Sequence, residues 1–408
     1  MKFKPANNIQ DLQYFGEFGG VNPSISDSST YTFLSAKKMF DTFEGNAEGC
    51  YLYSRHSSPS CLYLSEALAA MEGAEAAHVA STGMGAITAA ILQLCGQGDH
   101  LVVSRTIYGG TYAFLKNLAP RFGVTTTFVD HTDLQAVEAA VQENTKVLYV
   151  ESVSNPLLEV ADITALSKIS KSHDLKLLVD NTFSPMMISP IKMGADVVLH
   201  SLTKFINGSS DTMGGVICGS REFIDQLKNV NDGTSMLLGA SMDSLRAASI
   251  LKNLRTLHIR MKQHSHNAAY LAHRFEQDGL KVVYPGLESH PGHKQMKAMI
   301  HLEYGFGGMM TLDVGCLDKA NELMELMQKR NLGYLAVSLG FYKTLFSAPG
   351  TSTSSEIPED EQVEMGLSDG LIRFSIGLDQ DIERTYQLMK QCMKEVGVDH
   401  KEATHLVV

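Results

Sequence analysis

The 408-residue chain lacks any uninterrupted apolar segment long enough to span a bilayer, any long block of like charge, and any C-x-x-C pair among its six cysteines. The first absence argues against a membrane-spanning helix. The second, with a net charge of −11, argues against a polybasic surface and against nucleic acid as a partner. Cys50, Cys61, Cys95, Cys218, Cys316 and Cys392 are scattered, so neither a zinc site nor a disulfide framework is indicated, and reduced thiols are expected. There is no internal repeat or low-complexity tract. The start, Met1-Lys2-Phe3-Lys4-Pro5, has no apolar h-region after it, which gives the expectation of a cytoplasmic protein.

What is present is the composition of a globular protein, 44% apolar and 19% charged. The length exceeds what one hydrophobic core usually organises, so two domains and an arm are expected. Residues 1–60, rich in Gly, Asn, Ser, Thr and Tyr, show little periodicity and suit an extended arm. Short β-branched runs then alternate with helical patterns over residues 61–258, as in a largely parallel sheet: Leu101-Val102-Val103, Val147-Leu148-Tyr149-Val150, Leu175-Lys176-Leu177-Leu178-Val179 and Asp196-Val197-Val198-Leu199. Residues 241–277 carry helical spacing without Gly or Pro, predicting one long helix that links domains. Residues 259–408 suggest a smaller α+β domain.

Polar groups cluster after the carboxyl ends of those runs, where open α/β sheets bind ligands. Lys204 stands in Ser201-Leu202-Thr203-Lys204 shortly after Asp180-Asn181-Thr182. Alone, Lys204 reads as a solvated charge and Asp180 as a strand-end cap. Together, an amine able to form an imine with an aldehyde, hydroxyls for a phosphate and a carboxylate for a pyridinium nitrogen describe a pyridoxal phosphate pocket. Ser81-Thr82-Gly83-Met84-Gly85 opens a helix whose first N–H groups suit an anion. Tyr108, in Ile107-Tyr108-Gly109-Gly110-Thr111, is either a packed aromatic or a ring-stacking proton donor. Arg373, in Leu371-Ile372-Arg373-Phe374-Ser375, is on a strand-like run and suits a substrate α-carboxylate.

Taken in order, Tyr53-Ser54-Arg55, residues 81–87, Tyr108-Gly109, residues 151–156, Asp180-Asn181-Thr182, residues 201–204, Ser338-Leu339-Gly340 and residues 370–377 resemble the Cys/Met-metabolism family of pyridoxal phosphate enzymes. That family includes methionine and cystathionine γ-lyases, cystathionine β-lyase, cystathionine γ-synthase and O-acetylhomoserine sulfhydrylase. The resemblance implies fold type I, a mixed, mainly parallel seven-stranded sheet with a smaller C-terminal α+β domain, and a homotetramer of catalytic dimers. It further implies that Lys204 bonds the cofactor, Asp180 pairs with its ring nitrogen, Tyr108 stacks on the ring and acts as acid, and Asn155 lies beside its phenolic oxygen. Gly83, Met84, Ser201 and Thr203 would hold the phosphate, with Tyr53 and Arg55 reaching in from the neighbouring subunit. Ser338 and Arg373 would bind the amino-acid carboxylate.

Three departures bear on the substrate. Gly110 stands where well-known methionine γ-lyases carry cysteine. Lys343 stands where relatives commonly have an acidic residue, facing either the pocket or solvent. Ser347-Ala348-Pro349-Gly350-Thr351 replaces a His-Pro-Ala-Ser stretch. The expected reaction is γ-elimination of methionine, homocysteine or a related amino acid to 2-oxobutyrate, ammonia and a thiol. Its rivals are γ-replacement and, in another class, a catalytically inactive cofactor-binding regulatory oligomer.

Overall fold

The apolar runs are strands covered on both faces. β1 (Ala76–Ala80), β2 (His100–Ser104), β3 (Thr125–Val129), β4 (Thr145–Glu151), β5 (Lys176–Asp180), β6 (Val197–Ser201) and β7 (Gly215–Gly219) form one sheet in the order β1-β7-β6-β5-β4-β2-β3. This is seen in the computed structural model, which describes residues 3–398 apart from positions 46, 48 and 353–356. Strands β2 to β6 pair in parallel, while β7 runs antiparallel to β1 and β6. The fold is therefore α/β with a mixed, mainly parallel seven-stranded sheet.

Side chains alternate between two cores. In β4, Leu148 and Val150 enter one and Val147 and Tyr149 the other; in β5, Leu177 and Val179 oppose Leu178. The helix Pro59–Glu72, started by the Ser58 side chain and ended by left-handed Gly73, covers the first face through Leu64, Leu68 and Met71. The helix Gly83–Leu94 covers the second through Ala86, Ile87 and Ile91. Alternation and register put Glu151, Asp180 and Ser201, the last residues of three adjacent strands, on the second face at the carboxyl edge.

A second sheet follows from β8 (Lys281–Val283), β9 (Met309–Asp313), β10 (Tyr334–Leu335), β11 (Leu345–Ser347) and β12 (Leu371–Ser375), in the order β10-β11-β12-β9-β8. Its core includes Leu312, Leu323, Phe346, Phe374 and Tyr386.

The single long helix expected over residues 241–277 is two helices, Ser244–Leu254 and Leu257–Gln277. The break is held from inside. The Arg260 guanidinium donates to the Asn253 carbonyl (3.0 Å) at the end of the first helix and to the carbonyls of Phe205 and Ile206, just past Lys204. The second helix serves both cores, giving Leu257 and Met261 to the first sheet's and Leu271 and Phe275 to the second's.

The segment before Pro59 leaves much apolar surface uncovered: Phe15, Phe18, Val21, Leu34, Phe40 and Phe43 are all exposed, Leu34 completely. Among the described residues no helix is long and apolar enough to cross a membrane.

Candidate active site

A cavity of about 380 Å³ opens over the carboxyl edge of the first sheet, between it and the second. Ten of the residues singled out in the sequence line it: Gly83, Met84, Tyr108, Asn155, Asp180, Ser201, Thr203, Lys204, Ser338 and Arg373. Tyr53 and Arg55 do not. Both are exposed, with the Arg55 guanidinium 5.9 Å from the centroid of the Tyr53 ring.

Lys204 lies in the connection from β6 to β7, and its ammonium donates to Ser338 Oγ at 2.8 Å. Burial, and secondarily Arg373, lowers its pKa from 10.5 to about 8. A neutral nucleophilic amine is thus present on roughly a tenth of molecules at pH 7, against well under a thousandth at the ordinary value. The rate at which cofactor-free protein takes up pyridoxal phosphate is expected to rise with pH through about 8 and level off above it. Stopped-flow absorbance checks this; a rise centred near 10.5 would describe a fully solvated lysine instead.

Asp180 is buried. Its Oδ1 accepts from the Thr182 backbone N–H (2.9 Å) and hydroxyl (2.6 Å), and its Oδ2 from the Tyr149 hydroxyl (3.4 Å). Burial raises its pKa, and the Thr182 donors oppose that shift. A cation against this carboxylate would favour the charged form.

The first turn of the helix Gly83–Leu94 approaches Ser201 so closely that a Cβ on Gly83 would lie 2.8 Å from Ser201 Cβ. The N–H groups of Gly83 and Met84 at this helix start, beside a Gly85 N–H that donates to the Thr82 hydroxyl at 2.8 Å, form a concavity for an anion. The Thr203 hydroxyl accepts from the Gly214 N–H at 3.1 Å.

Arg373 is buried on β12, and its partners are neutral oxygens: Asn155 Oδ1 (3.0 Å), the Ser338 carbonyl (3.1 Å) and Ser347 Oγ (3.5 Å). Among the described residues its Nε has no hydrogen-bond partner, and burial lowers its pKa to about 10. A desolvated guanidinium that has no counter-ion among the described residues and faces a cavity suits a carboxylate ligand. Ser338 holds φ +83, a left-handed backbone rare outside glycine, at the point where its carbonyl meets Arg373 and its hydroxyl meets Lys204.

Of the departures, Lys343 does not line the cavity; its ammonium lies 4.9 Å from the Tyr334 ring centroid. Gly110 leaves space that the Tyr108 ring takes up, since a Cβ there would sit 2.6 Å from Tyr108 Cε1. Ala348 is buried in the core of the second sheet. Sequence reasoning gave no role to Glu151, whose carboxylate lines the cavity, nor to Met213, Val337 and Phe183, which furnish apolar wall. Glu151 was findable as the second acidic residue at a strand end.

Pyridoxal phosphate fits these residues: a concavity of N–H groups for the phosphate, a buried carboxylate for the ring nitrogen and a half-buried amine for the aldehyde. The Arabidopsis thaliana methionine gamma-lyase is 44% identical over 94% of this chain and 88% of its own. The O-succinylhomoserine sulfhydrylase of Pseudomonas aeruginosa is 38% identical over 89% and 88%. A solved Campylobacter jejuni protein, described as a candidate O-acetylhomoserine (thiol)-lyase and carrying a pyridoxyl-lysine monophosphate, superposes with a TM-score of 0.89 at 28% identity, covering 96% of this chain and 100% of its own. With the family model for Cys/Met metabolism PLP-dependent enzymes matching residues 7–394, the chain belongs to that family, and its cofactor is pyridoxal phosphate.

Proposed function

We propose that this enzyme eliminates the γ-substituent of an L-amino acid of the methionine and homocysteine class, taking up one water and releasing 2-oxobutyrate, ammonia and a thiol. The observation that carries this reading is the pairing, in one cavity, of the buried uncompensated Arg373 with Lys204, under an apolar wall of Phe183, Met213, Val337 and Leu339. A carboxylate on Arg373 leaves the far end of the substrate against apolar side chains, which suits a thioether or thiol better than an ammonium. The identity to a methionine gamma-lyase supports the same choice.

Bound to the substrate amine, pyridoxal phosphate would supply an electron sink for charge developing at Cα and Cβ. The residues of the chain do the rest. Asp180 would keep a proton on the ring nitrogen, and the helix start at Gly83 and Met84, with Ser201 and Thr203, would fix the phosphate. Asn155 would face the phenolic oxygen. Arg373 and the Ser338 backbone anchor the α-carboxylate, so the Cα–H bond faces the amine of Lys204 without a diffusional encounter. Lys204 takes that proton and carries it along the substrate, while Tyr108 holds a proton for the departing sulfur.

A second reading, γ-replacement, is favoured by the mouth of the cavity, where Met213 and Val337 are exposed and leave an approach for an incoming nucleophile. The P. aeruginosa relative supports it. Incubation with methionine, homocysteine, cystathionine and O-acetylhomoserine, with and without a thiol acceptor, separates the readings. We expect 2-oxobutyrate and free thiol without acceptor. A new thioether formed only with acceptor, and no oxo acid without it, overturns elimination; no turnover of any of them favours the regulatory oligomer.

The same reading extends to assembly. Residues 1–60 act as an arm against a neighbouring copy, where Tyr53 and Arg55 reach that copy's cofactor phosphate, in a cytoplasmic homotetramer. Residues 61–258 bind the cofactor and residues 259–408 close over the substrate. The exposed Phe15, Phe18, Leu34 and Phe40 support such an interface.

A further inference from the structure

We propose that Glu151 is a positioning residue that sets the proton donor and the carboxylate clamp in one geometry; this rests on the roles given above to Tyr108 and Arg373. Its two oxygens are divided between two loops. Oε1 accepts from the backbone N–H of Tyr108 at 2.7 Å, and Oε2 accepts from the backbone N–H of Asn155 at 2.9 Å. Asn155 in turn holds Arg373 through its Oδ1, Arg373 holds the Ser338 carbonyl, and the Ser338 hydroxyl receives Lys204. One side chain therefore reaches Tyr108 directly and Arg373 and Lys204 in sequence.

A carboxylate is an expensive choice at this place. Glu151 is buried and in register with Asp180 on the adjacent strand, so burial and a like charge both raise its pKa. A neutral side chain of the same size would fill the space without that cost. What it would not do is accept at both ends: a glutamine offers one acceptor oxygen, and its amide must point a donor at the other N–H. The need for two acceptors at once accounts for an acid here, and that need arises from the two loops.

The test uses holoenzyme of wild type, Glu151→Gln and Glu151→Asp. Steady-state kcat and KM are measured on the amino acid that wild type turns over fastest. Affinity for glycine, which has the α-carboxylate and no γ-substituent, is followed by the absorbance change it causes. Glu151→Gln is expected to weaken glycine binding or lower kcat by about tenfold or more, because it gives up at least one of the two anchors, with the melting temperature within a few degrees of wild type. Glu151→Asp keeps the charge beside Asp180 but is one methylene too short for both amides, so it should show the same loss; it decides the question if the glutamine variant does not fold. Unchanged kcat and glycine affinity in a folded variant overturn the proposal. So does loss of melting temperature with both parameters kept, which makes Glu151 a framework residue. Wild type that neither binds glycine nor turns over an amino acid overturns instead the functional reading on which this rests.

Discussion

Lys204→Ala is expected to lower kcat by roughly a thousandfold or more, the scale of removing both a nucleophile and a proton carrier. Lys204 is the one amine lining the cavity among the described residues, so on the proposed function no other amine there would join the cofactor or move a proton between neighbouring substrate carbons. The loss should not come from unfolding. The ammonium is half-buried, and Arg373 opposes its charge, so the substitution relieves a desolvated cation. The melting temperature of cofactor-free Lys204→Ala should match or exceed that of wild type. Calorimetry with single-turnover kinetics reads both, and a variant retaining a tenth of wild-type turnover would remove Lys204 from the mechanism.

Asp180→Asn should lower kcat by at least about a hundredfold at saturating cofactor, comparable to loss of one preorganised electrostatic contact at a reacting centre. The substitution is nearly isosteric. The amide oxygen still accepts from the Thr182 N–H, and the amide nitrogen, where Oδ2 now lies, donates to the Tyr149 hydroxyl. What disappears is the negative charge that, on the proposed function, keeps the ring nitrogen protonated. Cofactor affinity, titrated by absorbance, should weaken in parallel. A kcat within tenfold of wild type would mean that Asp180 is a structural cap and not the ring's partner.

Much of this was legible in the chain, for identifiable reasons. Strands buried on both faces must read as nearly continuous apolar runs, so β2, β4, β5 and β6 stood out, and with them the residues at their carboxyl ends. Gly83 and Lys204 were visible because a glycine at a helix start and a lysine after an apolar strand are informative at short range. Long-range relations were not. The break between residues 254 and 257 depends on Arg260 folding back to meet Asn253 and the turn after Lys204, contacts that no periodicity encodes. The contact of Lys204 with Ser338 spans 134 positions. The side of the loop taken by Lys343 shows in its contact with the ring of Tyr334, on the strand before that loop. Glu151 stood within a motif visible in the sequence, but a role for it follows only from its two loop contacts and its register beside Asp180.

The cavity draws its parts from two sheets. Asp180, Ser201, Lys204 and the Gly83 turn belong to the first, whereas Arg373 and Ser338 come from β12 and from the loop before β11 in the second. On the proposed function, the bond-breaking groups come from the first sheet and the carboxylate clamp from the second, while the apolar wall is shared, Phe183 and Met213 from the first and Val337 and Leu339 from the second. Mutations in the loops of the smaller sheet can retune which amino acid is accepted while the electron-withdrawing apparatus stays intact, so divergence into sister enzymes requires no redesign of the bond-breaking centre.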